Sequence, residues 1–554
     1  MRIQLKPWLF IVMIILYGVV FLIPFSGAVH LFDWDEIIFA ESAREMMVSG
    51  DYLTVTINYE PFWEKPPLFI WLQVISMKIF GINEFAARFP NVLCGILTLI
   101  SLYLVGRRIH GEKFGMLWAI AFGTAILPFF YFRTGIIDPW FNLFIFHGFS
   151  FFIFYLSPER FSRRYLYVGL SALFLGLAVL TKGPVAVLVF ALSFLIYLTY
   201  VRGRIAVKVS HILVFMGILA VTGGFWFVLA IIDGNLQVVR DFLSYQAGLF
   251  TDDFAGHGGF PGFHFVILLF GVFPASVLML SGFQKKREED RFAQAFRTWM
   301  YILFFLVLIL FSIVQTKLVH YSSLAYYPMT FISAWVVYQW LERKIEIRRW
   351  QIVMLGIISL VLIILTGLIP LVLRNPGILI DRYAQSLSPH VVGVLKSEAG
   401  WGYIHYIPAF ILFAGMVAAL YRITKRDYKG IIFLFTTSLL FTFSSLLLFV
   451  PKVERMIQGA AIDFMKAHSG PEKHVITMGF KSFAPCFYGG WLPGEIPQRM
   501  NDQWLGEVSE RKPVFVVMKA DNSNKFFKEY PMLEKIHEEN GYVFAVFEKT
   551  GGNR

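Results

Sequence analysis

Long apolar runs separated by short polar loops dominate the first 450 residues of the chain. An α-helix needs about 20 apolar residues to cross the hydrocarbon core of a bilayer. Runs of suitable length lie at about 8–26, 89–106, 115–132, 139–156, 165–180, 183–200, 211–232, 263–282, 298–314, 323–340, 350–373, 403–421 and 430–450. The pattern therefore predicts an α-helical polytopic membrane protein with about thirteen transmembrane helices.

The pattern changes at about Pro451, where charged residues become more frequent. The segments VITMGF and PVFVVMK are typical of short buried strands, whereas AIDFMKAH and PMLEKIHEE have the spacing of helices. We therefore predict a transmembrane domain over 1–450 and a small α/β domain over 451–554. The simplest role for the second domain is packing over the membrane part.

Composition supports this division. Hydrophobic residues make up 57% of the chain and charged residues 16%, which leaves too little polar surface for a soluble globule. The two cysteines form neither a metal-binding pattern nor a disulfide framework. The net charge of +12 comes mainly from short loops between apolar runs, so it indicates membrane topology and not nucleic-acid binding.

The basic residues are concentrated in alternate loops, which the positive-inside rule places in the cytoplasm. Examples are Arg107, Arg108 and Lys113; Arg160, Arg163 and Arg164; Arg202, Arg204 and Lys208; and Arg422, Lys425, Arg426 and Lys429. Arg2 and Lys6 place the N-terminus on the same side, so the first apolar run is predicted to be a retained anchor. An odd number of spans then places the C-terminus outside.

The first outer loop, 27–88, is longer than a connector requires, and long loops are often functional. We expect Asp35 to Met47 to form an interfacial helix with Asp35 and Glu36 near its N-terminus, where carboxylates are favoured. Glu64 and Lys65 precede Pro66 and Pro67 in a rigid turn. A lysine there can bind phosphate, and a glutamate can bind a metal or accept a proton. Helix capping and anchoring at the membrane surface are the alternative roles.

Four further segments place polar residues on the outer side. Asp138 opens the fourth span, and Lys182 lies in the turn LTKGP. Lys317 and Tyr321 would share one helical face if the helix is continuous, and His257 lies among glycines and carboxylates. Each residue alone also has an ordinary reading as a cap, a turn lysine or a solvated histidine. Together the lysines and carboxylates predict a polar cavity that recognises phosphate.

The motifs DEIIFAESAREMMVSGDY, EKPPLFIWL, FGINEFAARFPNVL, LTKGP and TKLVHYSSLAYYP follow one another in this order over about 30–330. In this combination the chain resembles the bacterial 4-amino-4-deoxy-L-arabinose lipid A transferases (ArnT-like), relatives of the protein O-mannosyltransferases in the GT-C class. Those aminoarabinose transferases usually have Arg three residues after the Asp of the Asp-Glu pair, whereas this chain has Ile38. This difference argues against assuming the same sugar and acceptor.

The resemblance implies an inverting glycosyltransferase on the periplasmic face of the bacterial inner membrane. It would take a sugar from a polyprenyl-phosphate donor, such as undecaprenyl phosphate, and pass it to a lipid A, glycan or protein acceptor. It also implies that Glu64 and His257 hold a divalent metal, Zn or Mg/Mn. We predict catalytic roles for Asp35, Glu64 and Asp138, and substrate binding by Glu36, Lys65, Lys182, Lys317 and Tyr321.

The chemistry of the reaction suggests a role for each charge. Departure of the lipid phosphate leaves an anion, which fixed cations such as Lys65 and Lys182 would stabilise, with Lys317 as a further candidate. Asp35 would act as general base toward a hydroxyl acceptor. A phosphate acceptor is already nucleophilic, and Asp35 would then orient it instead of removing a proton.

A membrane transporter or flippase of a lipid-linked substrate is the alternative function. It predicts ionisable residues near the middle of the membrane. The spans of this chain are largely uncharged at their centres and the charges cluster at one rim, which favours an enzyme. A third alternative is a membrane scaffold that binds a partner through residues after about 451.

Overall fold

Each apolar run predicted from the sequence is helical over most of its length. The structure, a computed structural model, describes residues 6–62, 64–205, 207–248, 259–283, 290–397, 399–494 and 512–547. Its first helices are α1 (Pro7–Tyr17, continued by a π-helical turn Gly18–Leu22), α2 (Asp35–Ser49), α3 (Leu68–Phe80), α4 (Glu84–His110), α5 (Glu112–Gly123), α6 (Ile126–Tyr131), α7 (Asp138–Tyr155), α8 (Arg164–Lys182), α9 (Val185–Tyr200), α10 (Val209–Ile232) and α11 (Leu236–Gly248).

The second half of the membrane part continues the bundle. Its helices are α12 (Phe263–Gly271), α13 (Ala275–Leu278), α14 (Arg291–Ile313), α15 (Tyr326–Leu341), α16 (Arg349–Arg374), α17 (Gly377–Arg382), α18 (Pro389–Lys396), α19 (Ile407–Thr424), α20 (Lys429–Glu454) and α21 (Ala460–Ala467). Short 3₁₀ helices cover Met279–Phe283, Val319–Ala325 and Tyr403–Tyr406.

The helices confirm a multi-pass membrane protein. Within the described ranges, seven helices are long and apolar enough to cross a membrane, or eight if the broken pair Phe263–Gly271 and Ala275–Phe283 forms one span. The two halves of that pair meet at 110°. Several other apolar runs form shorter helices, such as Pro7–Leu22 and Val185–Tyr200. The number thirteen therefore stays a prediction.

Helix α2 forms where the sequence predicts a helix, but its environment differs from the prediction. Every residue from Glu36 to Met46 is buried, whereas an interfacial helix would expose one face. Glu41 and Arg44 form an ion pair of 2.7 Å on the face that the predicted pattern left polar. The C-terminal domain covers this face, because Arg44 donates a hydrogen bond of 2.8 Å to the carbonyl of Trp491.

The C-terminal domain is a four-stranded sheet with helices, as predicted in outline. The strands β3 (His474–Met478), β4 (Val514–Lys519), β5 (Leu533–Glu539) and β6 (Tyr542–Phe547) lie in the order β3-β4-β6-β5, and β3 and β4 are parallel. Helices α22 (Ala484–Gly489) and α23 (Ala520–Glu529) accompany them. A two-stranded hairpin, β1 (Thr56–Ile57) and β2 (Glu60–Pro61), lies in the first outer loop.

One secondary-structure prediction in this domain is wrong. The segment PMLEKIHEE contains strand β5 and not a helix, because Asn540 and Gly541 form a tight turn that pairs it with β6. The exposed charged residues of β5 fit an edge strand. The predicted domain boundary near Pro451 falls inside a helical segment that continues from Lys429 to Ala467.

Gly541 links the hairpin turn to the membrane part. Its φ is +79°, and a Cβ there would lie 2.2 Å from the carbonyl oxygen of His390. We predict that Gly541→Ala lowers the free energy of unfolding by about 1–3 kcal/mol through backbone strain, and further through the clash. Thermal unfolding in detergent measures the effect.

Gly490→Ala is the matched control. Gly490 also has a positive φ, +66°, but a Cβ there would meet nothing within 4 Å. An equal loss of stability in both variants would contradict the proposed docking contact, because strain alone would then account for it.

Candidate functional site

Six chain segments bring ionisable side chains to one end of the helical bundle. Asp35 begins α2, Asp138 begins α7 and Lys182 ends α8. The turn before α3 supplies Glu64 and Lys65. The 3₁₀ helix Val319–Ala325 supplies His320 and Tyr321, and α11 supplies Tyr245.

Asp138 and Lys182 form the tightest contact of the cluster. The Lys182 Nζ lies 2.7 Å from the Asp138 Oδ1, and the two side chains are only 16% and 5% exposed. Local sequence sets both positions. Pro139 fits the first turn of α7. Gly183 ends α8 with φ +105°, where a Cβ would lie 2.9 Å from the Phe242 ring.

Lys65 lies beside this pair but has a looser partner. Its Nζ is 3.7 Å from the Glu64 Oε2 and 5.3 Å from the centre of the Tyr245 ring. Burial lowers the pKa of Lys65, and the neighbouring Lys182 lowers it further, whereas the Glu64, Asp35 and Asp138 carboxylates raise it. Lys65 is therefore a mostly buried ammonium, and the nearest carboxylate among the described residues is beyond hydrogen-bond distance.

Asp35 is the most accessible carboxylate of the buried group. Its side chain is 46% exposed, and the Oδ2 lies 3.9 Å from the His320 Nε2. Burial lowers the pKa of His320 below its ordinary value of 6.5, so this imidazole is neutral at pH 7. The preceding residue, Trp34, has a φ of +73°, which is unusual for a large side chain. Asp35 therefore has no close cation among the described contacts.

Glu36, although adjacent, points away from the cluster. It is 4% exposed and forms a two-pronged ion pair with Arg88, with distances of 2.9 Å and 2.8 Å. It also accepts hydrogen bonds from the backbone N–H groups of Phe32 and Gly135. These four bonds occupy the lone pairs of the carboxylate. The contacts give Glu36 a structural role, and its predicted substrate binding has no support in them.

Lys317 is likewise turned toward the protein. Its ammonium donates to the carbonyls of Phe311, Ser312 and Val314 at the end of α14, which uses all three donors. Lys317 and Tyr321 were predicted to share a helical face only if the helix is continuous, and it is not, because helical structure begins at Val319. Tyr321 nevertheless reaches the cluster, since the Lys182 Nζ lies 5.4 Å from its ring centre.

A small cavity lies beneath Asp138. It measures about 20 Å³, enough for about one water molecule. Asp138, Asn142, Ser323 and Tyr326 contribute its polar lining. The Asp138 Oδ2 and the Tyr326 hydroxyl are buried and have no hydrogen-bond partner in the structure. A molecule inside the cavity could therefore form hydrogen bonds with these two buried polar atoms.

The predicted metal site consists of Glu64 and His257. The described residues include no group of three His, Cys, Asp or Glu residues that could hold a metal ion. Glu64 instead accepts a hydrogen bond of 3.3 Å from the Tyr245 hydroxyl. His257 lies outside the described residues, so its pairing with Glu64 stays a prediction, and no chemical step is assigned to a metal.

Sequence reasoning missed two members of the cluster. His320 lies inside the quoted motif TKLVHYSSLAYYP, and its position between two predicted site residues was the available signal. Tyr245 lies in α11, in the outer segment where the sequence indicated only His257 as a candidate. Its hydroxyl reaches Glu64 across 181 positions of sequence, a contact that no local pattern indicates.

Comparisons with known proteins show what this chain is similar to. The model of the dolichyl-phosphate-mannose-protein mannosyltransferase family matches residues 64–226. A crystal structure of ArnT from Cupriavidus metallidurans in the apo state superposes with a TM-score of 0.76 over 98% of this chain and 99% of its own, at 17% identity. The same protein bound to undecaprenyl phosphate gives a TM-score of 0.75 at 16% identity.

Proteins related to this chain in sequence include a transferase of the same kind. An uncharacterized protein of Aquifex aeolicus is 29% identical over 318 residues, 54% of this chain and 58% of its own length. The undecaprenyl phosphate-alpha-4-amino-4-deoxy-L-arabinose arabinosyl transferase of Photorhabdus laumondii is 26% identical over 326 residues, 58% of each chain. This chain thus spans under two thirds of the length of these relatives. The GT-C fold and the resemblance to the ArnT-like glycosyltransferases are confirmed.

The Glu36–Arg88 pair gives a test of this architecture. Breaking a buried ion pair by removing one partner costs about 3–5 kcal/mol, because a charge remains buried without compensation. We predict a loss of this size in the free energy of unfolding of Arg88→Met. Thermal unfolding in detergent measures it.

Arg160→Met is the matched control, since Arg160 pairs with Asp290 at 2.9 Å but the two side chains are 41% and 61% exposed. This variant should lose at most about 1 kcal/mol. Similar losses in both variants would argue against a structural role for Glu36.

Proposed function

We propose that this protein is a glycosyltransferase that moves a sugar from a polyprenyl-phosphate donor to an acceptor on a lipid, a glycan or a protein. The observation that supports it most is the meeting of Lys65, Lys182 and Asp35 at one end of an apolar helical bundle. A phosphate that is anchored by a prenyl chain would lie at such a depth. The cations would bind the phosphate, and the apolar helices would accommodate the prenyl chain.

The ArnT-like fold supports this assignment. Cupriavidus metallidurans ArnT was solved with undecaprenyl phosphate, and the Photorhabdus laumondii relative is named for transfer from that carrier. We extend the carrier class to this chain, while the sugar and the acceptor stay open. Ile38, which is buried in α2, is consistent with a different sugar or acceptor.

The geometry supports one chemical role for each of these side chains. Asp35 is the general base, because it is exposed and free of a close cation, so a hydroxyl acceptor can reach it. Lys65 binds the leaving phosphate. Its contact with Glu64 is too long to be a hydrogen bond, so a phosphate oxygen can take the place of that carboxylate without breaking one. Asp138 holds Lys182 in place across the pocket. Electrons of the glycosidic bond pass to the phosphate oxygen as the acceptor oxygen bonds to the sugar carbon, and Asp35 takes the acceptor proton.

We further propose that the protein lies in a bacterial inner membrane with this site on the periplasmic face. The loops rich in Arg and Lys lie at the opposite ends of the helices, for example Arg164 at the start of α8, whose last residue is Lys182. By the positive-inside rule those loops are cytoplasmic, as is the N-terminus. The domain after about 451 then lies in the periplasm.

A deletion strain gives the experiment that tests the function. Mass spectrometry of its envelope lipids, glycans and glycoproteins should show the loss of one sugar, which also identifies the donor. With that donor, membranes that contain Lys65→Ala should transfer about a hundredfold more slowly, the typical loss when one preorganised donor to a developing anion is removed. Asp35→Asn should fail to restore the sugar.

Lys78→Ala and Glu60→Gln serve as controls, because both residues are exposed and lie in the same outer loop. Full activity of Asp35→Asn and Lys65→Ala at normal protein levels would refute the assignment. A transporter is distinguished in detergent solution: an enzyme releases polyprenyl phosphate without separate compartments, whereas a transporter changes no covalent bond.

The acidity of Lys65 gives a second prediction. Because burial lowers its pKa below 10.5, protonation is lost as the pH rises through that lowered value. Activity should therefore fall on the alkaline side at a pH below 10.5. Arg stays protonated above pH 12, so Lys65→Arg should move this alkaline limb upward even if its maximal rate is lower. An unchanged limb in the pH profile of kcat/KM would mean that another group titrates.

A further inference from the structure

An open cleft with basic residues in its lining lies at the far end of α8. It has a volume of about 480 Å³ and is lined by Arg163, Arg164, Tyr165, Leu166, Lys208 and His211. Helix α8 rises about 1.5 Å per residue, so its 19 residues place this cleft about 27 Å from Lys182. The cleft is therefore separate from the proposed active site and lies near the other membrane surface.

Positive charge is concentrated in this cleft. Arg163 and Lys208 directly precede α8 and α10, and neither helix has a side-chain cap or an acidic residue in its first turn. Cations are unfavourable at helix N-termini, where the exposed N–H groups already favour an anion. The charged groups that act on the buried His211 are again cations, Arg164 and Lys208. The arrangement is suited to a bound anion.

Side-chain contacts hold in place several residues that line the cleft. The Tyr155 hydroxyl lies 3.1 Å from the His211 Nδ1, and the Tyr165 hydroxyl lies 3.0 Å from the Ser210 Oγ. The Arg164 guanidinium lies 4.7 Å from the centre of the Tyr155 ring. These contacts hold α8 and α10 together and limit the freedom of Arg164. A ligand would therefore meet a formed cleft.

An apolar surface continues from the cleft. Leu166, Val209, Ile212 and Leu213 are 46%, 71%, 48% and 67% exposed. They lie on the first turns of α8 and α10, within the membrane-facing part of those helices. A soluble phosphate would use the cations alone, whereas a phospholipid would use both surfaces.

We propose that this cleft binds the phosphate headgroup of an anionic membrane phospholipid, with the acyl chains against the apolar start of α8 and α10. The positive-inside rule accounts for basic residues in these two loops. It does not account for a cleft between two uncapped helix starts. The proposal is independent of the glycosyltransferase assignment, because none of these residues belongs to the proposed active site.

Native mass spectrometry of the full-length protein in detergent tests this site. Phosphatidylglycerol, phosphatidylethanolamine and inorganic phosphate are the probes, each added separately. Wild-type protein should retain phosphatidylglycerol in preference to phosphatidylethanolamine. Arg163→Gln combined with Lys208→Gln should bind it about thirtyfold more weakly, the effect of about two lost contacts between a basic residue and a lipid phosphate.

Arg202→Gln combined with Arg204→Gln is the matched control. It removes two exposed cations from the loop that also contains Lys208, but neither lines the cleft. Unchanged binding in this control, together with weakened binding in the cleft variant, supports the site. Equal losses in both variants would overturn it, since general charge would then be responsible. Equal retention of the two lipids, or displacement of phosphatidylglycerol by inorganic phosphate, would also overturn it. If the double variant is not monodisperse, Lys208→Gln alone carries the test.

Discussion

The buried ion pair between Glu36 and Arg88 is the contact on which the geometry of the candidate site depends. Besides Glu36, the Arg88 guanidinium donates to the carbonyls of Ser26, Val29 and His30, at distances of 2.8 to 2.9 Å. One side chain thus fixes the chain between the first apolar helix and α2. Because Asp35 immediately precedes Glu36, the same contacts fix the direction of the proposed base. A charged pair is stable in this interior only because its hydrogen bonds are complete.

The C-terminal domain supports the same segment from the other side. The Asp33 carboxylate accepts hydrogen bonds from the backbone N–H groups of Trp34 and Phe483. The Tyr488 hydroxyl accepts one of 2.7 Å from the Leu31 N–H. These contacts hold Trp34 in its unusual conformation, just before Asp35. Packing of this domain over the membrane part therefore has a direct consequence for the site.

The sequence pattern predicted those elements that depend on residues close to one another in the chain. Length and hydropathy placed the apolar helices, and turn chemistry placed Asp138 and Lys182 at helix ends that prove to meet. Features that depend on distant partners were not predictable in this way. The motif places Lys317 with the site residues, but its ammonium donates hydrogen bonds to the carbonyls at the end of α14. Helical spacing suggested a helix in β5, whereas pairing with β6 across the Asn540–Gly541 turn makes it a strand.

The central claim is that Lys65 and Lys182 together receive a lipid-linked phosphate, and a structure of this protein with undecaprenyl phosphate tests it most directly. The account predicts a phosphate oxygen about 2.8 Å from the Lys65 Nζ, with Lys182 on the opposite side of the phosphate and the prenyl chain along the apolar helices. Phosphate density remote from both lysines, with the Asp138–Lys182 contact and Lys65 unchanged, would contradict it.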